Sequence, residues 1–139
     1  MPLTLIATEG VLPKGQEGLA MARLGEAMLK WHGLTGNEVM APNVIGTYQV
    51  LAKDQTFSAM QPTAVVMVEW KVPSFAFTDR AVQLGYFEEA TNIIHEMSGR
   101  RQPKDRIFIN VVHAVDGAWN FEGKAMTNAE IGAKVAAGA

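Results

Sequence analysis

The sequence predicts an α+β fold in which two β-α-β units follow one another along a single domain of 139 residues. Three observations predict it. Strand-like, helix-like and strand-like segments occur in this order twice, about sixty residues apart. Each helix-like segment carries an apolar stripe. The hydrophobic content of 48% is enough for one core. Because neighbouring units of this kind pack together, we expect them to share one sheet.

The first unit begins almost at the amino terminus. Residues 3–7 are mainly apolar over the length of a strand, and a helix is predicted from Gln16 to Trp31, with Gly33 as its stop signal. The segment 43–52 is rich in Val, Ile, Thr and Tyr, which predicts the second strand. The helix prediction depends on apolar residues at helical spacing: Met21, Leu24, Met28 and Trp31.

The second unit repeats this order. A strand is predicted from Ala64 to Trp70, where Trp70 is expected to lie in the core, and a further strand from Arg106 to His113. Between them Thr78 is the expected N-cap of a helix that runs to about Met97. The apolar stripe of this helix consists of Val82, Tyr86, Ala90, Ile93, Ile94 and Met97.

The remaining segments join or follow the two units. Asp116 and Gly117 indicate a turn, and Thr127 with Glu130 fits a capping box that opens a short Ala-rich helix ending at Gly138. Residues 53–62 are polar and irregular. The predicted division is a first unit at 1–52, a linker at 53–62, a second unit at 63–114, and a hairpin with a C-terminal helix at 115–139.

Composition excludes several classes of function. A net charge of −2, from 12 basic and 14 acidic residues, is not the basic footprint of a nucleic-acid binder. The absence of cysteine excludes disulfides, a thiolate nucleophile and sulfur-ligated metal. The start MPLTLIATEG has no basic run, and its apolar stretch is too short for a signal peptide or a membrane span. We expect a cytoplasmic protein that binds neither membrane nor nucleic acid.

No standard motif for a metal, a nucleotide or a nucleophile is complete. His95 and Glu96 begin like a zinc-protease HExxH motif, but Gly99 stands where the second histidine belongs. His32 and His113 lie in different elements without ligand spacing. The sequence has no GxSxG, P-loop or GxGxxG arrangement. We therefore predict no metal and no cofactor.

Several segments together resemble the tautomerase superfamily, whose members use an amino-terminal proline. They are the Met-Pro start with PLTLIATEG, the strand TAVVMVEW, and above all RIFINVVHAVDGAWNF. The likeness is greatest to the malonate semialdehyde decarboxylases and weaker to the cis-3-chloroacrylic acid dehalogenases, with which GLTG at 33–36 is shared. The resemblance implies a four-stranded mixed sheet with two helices on one face, a homotrimer, and removal of Met1. On pattern alone, a ferredoxin-like barrel dimer remains an alternative.

By the same resemblance Pro2 is the catalytic base or acid. Its nitrogen is a free secondary amine only after Met1 has been removed. An α-amino group has a pKa near 8, and an apolar pocket or a cationic neighbour disfavours its charged form. Pro2 could then accept a proton at physiological pH and move it between the carbons of an enol.

Further site residues follow from the resemblance. Glu38 occupies the position of an acidic residue that could activate water or orient substrate, although it could equally be a solvated loop carboxylate. The two arginines that relatives carry after the third strand, where they clamp a substrate carboxylate, are missing. Lys71 could replace them as a point charge. Asn110 could donate to an oxyanion, and Trp119 with Phe121 could wall the site or pack against a neighbouring subunit.

These residues support three hypotheses of function. The first is a tautomerase-type isomerase that moves a proton on a small carbonyl or enol substrate through Pro2. The second is a lyase or hydratase, which would decarboxylate, hydrate or dehalogenate a small three-carbon acid with Glu38 positioning water. The absence of paired arginines favours the first over the second. The third is a non-catalytic trimer or small-ligand binder in which Met1 is retained.

Overall fold

The structure is a computed structural model that describes residues 1–139. Eight strands and three helices follow one another along the chain, together with two short 3-10 turns. Their bounds, in chain order, are β1 (Pro2–Thr8), α1 (Glu17–Trp31), β2 (Ile45–Leu51), β3 (Phe57–Ser58), β4 (Gln61–Pro62), β5 (Val66–Pro73), α2 (Arg80–Met97), β6 (Ile107–Ala114), β7 (Trp119–Phe121), β8 (Lys124–Met126) and α3 (Asn128–Ala137).

The four long strands form one mixed sheet in the order β2-β1-β5-β6. β1 and β2 are parallel, β5 and β6 are parallel, and the two central strands β1 and β5 are antiparallel. Each parallel pair needs a crossover, which α1 provides in the first unit and α2 in the second. The predicted α+β fold, with tandem β-α-β units and two helices on one face of a four-stranded mixed sheet, is confirmed.

One face of the sheet is covered by the helices and forms the core. In the central strands alternate side chains point to this face, and on it Leu3, Leu5, Val68 and Trp70 are buried. Trp70 Nε1 donates to the hydroxyl of Tyr86 at 2.6 Å, so the indole N–H is satisfied inside the core. The prediction that Trp70 is a core residue is confirmed.

The opposite face of the sheet is open. Pro2, Lys71 and their neighbours on the edge strands form one row across it, because Leu3 pairs with Trp70 and Lys71 pairs with Val112. Several large apolar side chains on this face are exposed, namely Ile45, Met67, Phe108 and Val112. An uncovered apolar sheet face of this kind is typical of an interaction surface.

A glycine permits a close approach at each of two packing contacts. A Cβ at Gly46 of β2 would lie 1.9 Å from Met21 Cε of α1. A Cβ at Gly85 of α2 would lie 2.1 Å from Trp31 Cη2 of α1. Helix α1 therefore packs tightly on strand β2 through Met21 and on helix α2 through Trp31.

The structure corrects the start of the second helix. Asp79, not Thr78, is the N-cap, since its carboxylate accepts a hydrogen bond from the backbone N–H of Ala81 at 2.7 Å. Phe77 adopts a positive φ of 56°, and the Thr78 hydroxyl donates back to the Phe75 carbonyl at 3.1 Å. The turn before the helix is thus longer than its sequence suggests, and the cap moves by one residue.

Two further segments differ in detail from their predictions. The strand expected at residues 64–70 is β5, which begins at Val66 and extends to Pro73. The segment 53–62 is not wholly irregular, because β3 and β4 form a small hairpin in which Phe57 pairs with Pro62. Short two-residue strands of this kind give little periodic signal in a sequence.

The C-terminal region has the predicted hairpin and helix. β7 pairs with β8, and the capping box of Thr127 and Glu130 opens α3, with Gly138 as its C-cap. The end of α3 packs on the loop after α1: the Asn37 side-chain amide donates to the Val135 carbonyl at 2.9 Å. None of the three helices is both long and apolar enough to cross a membrane.

Candidate active site

Pro2 is the first residue of a central strand. It is half-buried and lies between Ile45 of β2 and the end of β5. Proline lacks an N–H group and is tolerated at the first position of a strand, where no ladder hydrogen bond is lost. The residue that could carry an amino-terminal base is therefore held in the sheet and not in a loose terminus.

Met1 precedes it and is firmly packed. The Met1 side chain is only 5% exposed and belongs to the main hydrophobic core. Its ammonium group donates to the backbone carbonyl of Asn43, and its own carbonyl accepts from the N–H of Ile45 at 3.3 Å. Burial lowers the pKa of this amino group from 8.0 to about 6. The amino-terminal end of β1 is thus a place that disfavours an ammonium ion.

Lys71 is the charged residue next to Pro2 in the register. Trp70 pairs with Leu3, so Lys71 stands opposite Pro2 across the two central strands and on the same open face. The Lys71 side chain is exposed and takes part in none of the four ion pairs of the chain. The positive charge at this point is therefore not neutralised by an ion pair within the chain.

Glu38 lies in the loop after α1 and is exposed. Its backbone N–H donates to the carbonyl of Gly138 at 3.0 Å, so the C-terminal helix fixes this loop. The carboxylate accepts no hydrogen bond and joins no ion pair. Nothing in the subunit restrains its side chain toward Pro2.

Asn110 lies farther from Pro2 than Lys71 does. It sits on edge strand β6, two strands and two residues away in the register, which corresponds to about 12 Å between Cα atoms. It lines a groove of about 650 Å³ between α2 and β6, together with Arg80 and His113. A small ligand would have to extend along the sheet to reach both Asn110 and Pro2.

The two aromatic candidates lie in the first strand of the C-terminal hairpin. Phe121 is 2% exposed and forms part of the main core, whereas Trp119 is half-buried and packs against that core. Within one subunit Phe121 thus contributes apolar surroundings from the interior. Trp119 is the one of the pair with surface left to offer a ligand or a neighbouring subunit.

A second cleft, which the sequence did not reveal, lies beside the amino terminus. It has a volume of about 310 Å³ between α1 and the start of β2, and its lining includes Leu3, Val44 and Ile45. Glu26 is its one ionisable lining residue. A hint was present in the stripe of small residues on α1, but the register that brings this helix over Gly46 cannot be derived from composition.

No protein-family model and no curated protein matches the sequence. The fold is similar to those of several solved structures. One is Pt0534 inactivated by 2-oxo-3-pentynoate, with 16% identity and a TM-score of 0.74; the match covers 95% of this chain and 99% of that one. A fused 4-OT in a symmetric trimer has 10% identity, a TM-score of 0.73, and coverage of 95% and 99%. The FG41 malonate semialdehyde decarboxylase inhibited by 3-bromopropiolate has 10% identity and a TM-score of 0.65, and the match covers 87% of this chain and 88% of that one.

The chain has the tautomerase-superfamily fold. Identities of 10 to 16% show the fold and do not rank the members of the superfamily. The expected closer likeness to the malonate semialdehyde decarboxylases than to the dehalogenases therefore stays a prediction. In this tautomerase fold Pro2 occupies the start of β1, as the resemblance implied.

Relatives in the tautomerase superfamily are expected to carry two arginines in the loop after β5, and this chain lacks them. Two histidines hold the loop in place. His32 Nε2 accepts from the backbone N–H of Phe77 at 3.1 Å, while its Nδ1 donates to the Met28 carbonyl at 2.8 Å. His113 Nε2 donates to the Ala76 carbonyl at 2.7 Å. No group of three or more His, Cys, Asp or Glu side chains comes together in the structure.

Burial lowers the pKa of His32, and its bond to Met28 opposes this only in part. The neutral form fits both of its contacts, because Nε2 must accept from Phe77. Phe77 is buried, with its ring centroid 4.5 Å from that of His32, while Phe75 in the same loop is exposed. Between Pro73 and Asp79 the loop thus carries no cationic side chain, and of its two phenylalanines only Phe75 is exposed.

Proposed function

We propose that this chain is a tautomerase-type isomerase in which Pro2, after removal of Met1, is the general base and acid for keto-enol proton transfer on a small carbonyl or enol substrate. The supporting observation is the environment of the amino terminus. Burial there lowers the pKa of the Met1 amino group to about 6, and we expect similar surroundings to disfavour the charged form of a Pro2 amine. Pro2 nitrogen would be the terminal amine of the processed chain.

The proton balance of the reaction needs no cofactor. The neutral Pro2 nitrogen removes a proton from the enol hydroxyl or from the carbon next to a carbonyl, and an enolate forms. The resulting ammonium returns that proton to the other position, which regenerates the neutral amine. Lys71, opposite Pro2 in the register, stabilises the negative charge on the enolate oxygen.

The substrate class follows from the loop after β5. A substrate carboxylate is best held by a bidentate arginine pair, and this loop has none. Its Phe77 is backed by His32, which is kept neutral by burial. We therefore infer that reactions which depend on a clamped acid are disfavoured relative to proton transfer on a carbonyl or enol substrate that needs no bidentate clamp.

The other site residues have secondary roles in the proposal. Asn110 donates to a polar group of a substrate that extends along the open face, and Trp119 with Phe121 lowers the local dielectric. Glu38 is exposed and serves to orient the substrate or water at the rim. These roles rest on the resemblance and on position, and each can be separated from that of Pro2 by substitution.

A homotrimer is part of the same proposal. The open face of the sheet exposes Ile45, Met67, Phe108 and Val112, and such a surface favours association. The similar fused 4-OT is a symmetric trimer. Assembly would remove water from the row that contains Pro2 and Lys71, which strengthens their electrostatic interaction with a substrate. Sedimentation at micromolar concentration tests the trimer, and a dimer would contradict it.

A non-catalytic scaffold is the second candidate, and one observation favours it. Met1 fits the core, and its ammonium has a partner in the carbonyl of Asn43. If Met1 is retained, Pro2 nitrogen is an amide and cannot take up a proton at physiological pH. The protein would then bind a small ligand or a partner without turning it over.

Covalent labelling tests the proposed function. An electron-poor alkynone such as 2-oxo-3-pentynoate, which inactivates the similar Pt0534, adds a neutral amine across its triple bond. The nitrogen bonds to one alkyne carbon and its proton goes to the other, so the mass rises by that of the whole reagent. We expect one adduct on Pro2 of the processed chain. An unmodified Pro2 in a fully processed protein would contradict a nucleophilic, neutral amine at this site.

A further inference from the structure

A small cleft, here called the Gln102 cleft, lies at the end of the sheet opposite to Pro2. It has a volume of about 250 Å³, and its walls come from the segments that follow β1, β2 and α2 and from Ala64 before β5. Pro2 and Thr8 are the two ends of β1, which places them about 20 Å apart. The Gln102 cleft begins just beyond Thr8 and is therefore separate from the candidate active site.

Gln102 supplies a fixed hydrogen-bond acceptor to this cleft. It is only 4% exposed, and its side-chain amide donates to the carbonyls of Ala64 at 2.9 Å and of Arg106 at 3.1 Å. These two bonds use both amide hydrogens, whereas Oε1 accepts no hydrogen bond from the chain. Because no fully buried polar side-chain atom lacks a partner, Oε1 must be accessible from outside. It can accept a hydrogen bond from a ligand.

Two cationic side chains and one carboxylate line the same cleft. Arg101 donates its Nε hydrogen to the Ser98 carbonyl at 3.0 Å, which leaves both terminal nitrogens of the guanidinium without a partner. Lys53 and Glu9 are exposed, and one carboxylate oxygen of Glu9 accepts from the Lys53 backbone N–H at 3.3 Å. Neither cation forms an ion pair with Glu9 or with another carboxylate. The opposite charges of the cleft thus do not neutralise one another by direct contact.

These groups match the two ends of a small zwitterion. A guanidinium fork with a second cation beside it, as Arg101 and Lys53 provide, suits a carboxylate. An ammonium needs acceptors, which Gln102 Oε1 and the Glu9 carboxylate offer. A simple anion fits less well, because it brings no donor for Oε1 and is repelled by Glu9. The cleft is smaller than usual drug-sized pockets, so its ligand must be small.

We propose that the Gln102 cleft binds a small α-amino acid, such as alanine or serine. The carboxylate of the ligand contacts the Arg101 guanidinium and the Lys53 ammonium. The ammonium of the ligand donates to Gln102 Oε1 and to the Glu9 carboxylate. Only two of the lining residues are hydrophobic, so recognition rests on the two opposite charges and not on a long side chain. This binding is independent of the proton transfer proposed for Pro2.

The test compares L-alanine with its two charged halves. Amide chemical shifts of the full chain are followed during titration with L-alanine, with propionate, which lacks the ammonium, and with ethylamine, which lacks the carboxylate. Inorganic phosphate tests for a general anion site. We expect L-alanine to bind with a Kd of about 1 mM or below and to shift residues 9–11, 53 and 101–102. Each of the other compounds is expected to bind at least about tenfold more weakly, because a charge-assisted contact is lost.

Substitutions then test the individual contacts. Arg101→Gln is expected to weaken L-alanine binding at least about tenfold. Arg100→Gln, which removes an exposed guanidinium one residue earlier and outside the cleft, is the matched control and should leave binding within about twofold. Glu9→Gln should weaken L-alanine binding but strengthen propionate binding, since it removes a carboxylate that attracts an ammonium and repels an anion.

Two results would overturn the proposal. One is the absence of localised shifts at up to about 10 mM L-alanine. The other is binding of phosphate or propionate as tight as that of L-alanine, which would identify a general anion site. Selective binding of L-alanine that depends on Arg101 and Glu9 but not on Arg100 supports the proposal.

Discussion

Lys71 stands opposite Pro2 across the two central antiparallel strands, one residue beyond the pair formed by Leu3 and Trp70. No carboxylate forms an ion pair with this lysine. Because a nearby cation disfavours a second positive charge, we expect Lys71 to help keep the Pro2 amine neutral once Met1 has been removed. In the proposed mechanism the same charge would stabilise the enolate.

The substitution Lys71→Ala should reduce kcat/KM for phenylpyruvate ketonisation at pH 7 about tenfold or more, because the enolate loses a stabilising cation. The acid limb of the pH–rate profile should move to higher pH, since removal of a cation raises the pKa of the amine. Lys71→Arg should retain most of the activity, and Lys124→Ala in the distant hairpin is the matched control. Identical pH–rate profiles for Lys71→Ala and wild type would show that Lys71 has no role in the reaction.

Glu38 distinguishes proton transfer from a hydration or decarboxylation reaction. The carboxylate is exposed and has no partner, so Glu38→Gln should leave ketonisation within about twofold of wild type. A reaction in which Glu38 activates water would instead lose about a hundredfold or more. Rates of phenylpyruvate ketonisation and of hydration of a small unsaturated acid, measured on the same preparations, decide between them. A large loss of ketonisation on this substitution would give Glu38 a direct role.

The position of the second helix cap can be tested by stability. Asp79→Ala removes the side-chain acceptor of the Ala81 N–H and should lower the free energy of unfolding by about 1 kcal/mol. Thr78→Ala, one residue earlier, should cost less, because the Thr78 hydroxyl bonds only within an exposed turn. Urea unfolding of the two variants makes the comparison. A larger loss of stability for Thr78→Ala than for Asp79→Ala would indicate that Thr78 is the cap.

His32 predicts a dependence of stability on pH. Burial lowers its pKa in the folded protein below the ordinary value of 6.5. As the pH falls below about 6.5, the unfolded chain takes up the proton first, and the free energy of unfolding decreases. His32→Asn should be less stable than wild type at pH 7.5 but should lose less stability between pH 7.5 and 5.5. The free energy of unfolding is measured by urea unfolding at each pH. An equal dependence on pH in the two proteins would contradict a lowered pKa of His32 in the folded state.

The fold was predictable because its signals are local. The helical spacing of Leu24 and Met28, and of Tyr86 and Ala90, indicates the two helices without knowledge of the sheet, and all four residues are buried. The N-cap of α2 was misplaced by one residue for a physical reason. Thr and Asp are both good caps, and the difference is seen only in the structure, where Asp79 accepts from the Ala81 N–H and the Thr78 hydroxyl donates to the Phe75 carbonyl.

The candidate site was less predictable because it depends on register. Pro2 and Lys71 become neighbours only through the pairing of β1 with β5, and Asn110 lies two strands away for the same reason. Strand register depends on side-chain packing across the whole sheet, which is not encoded in one motif. The burial of Met1 and the hydrogen bond from Phe77 to His32 are likewise long-range contacts that no spacing rule reveals.

The central claim is that Pro2, freed of Met1, moves the proton. The most direct measurement compares wild type with Pro2→Ala in phenylpyruvate ketonisation, after intact mass has shown that both chains lack Met1. Alanine also permits removal of the methionine and leaves a primary amine, so the comparison isolates the ring nitrogen. The account predicts that Pro2→Ala loses about a hundredfold or more in kcat/KM. Equal rates, or a wild-type protein from its native source that is heavier by one methionine, would contradict it.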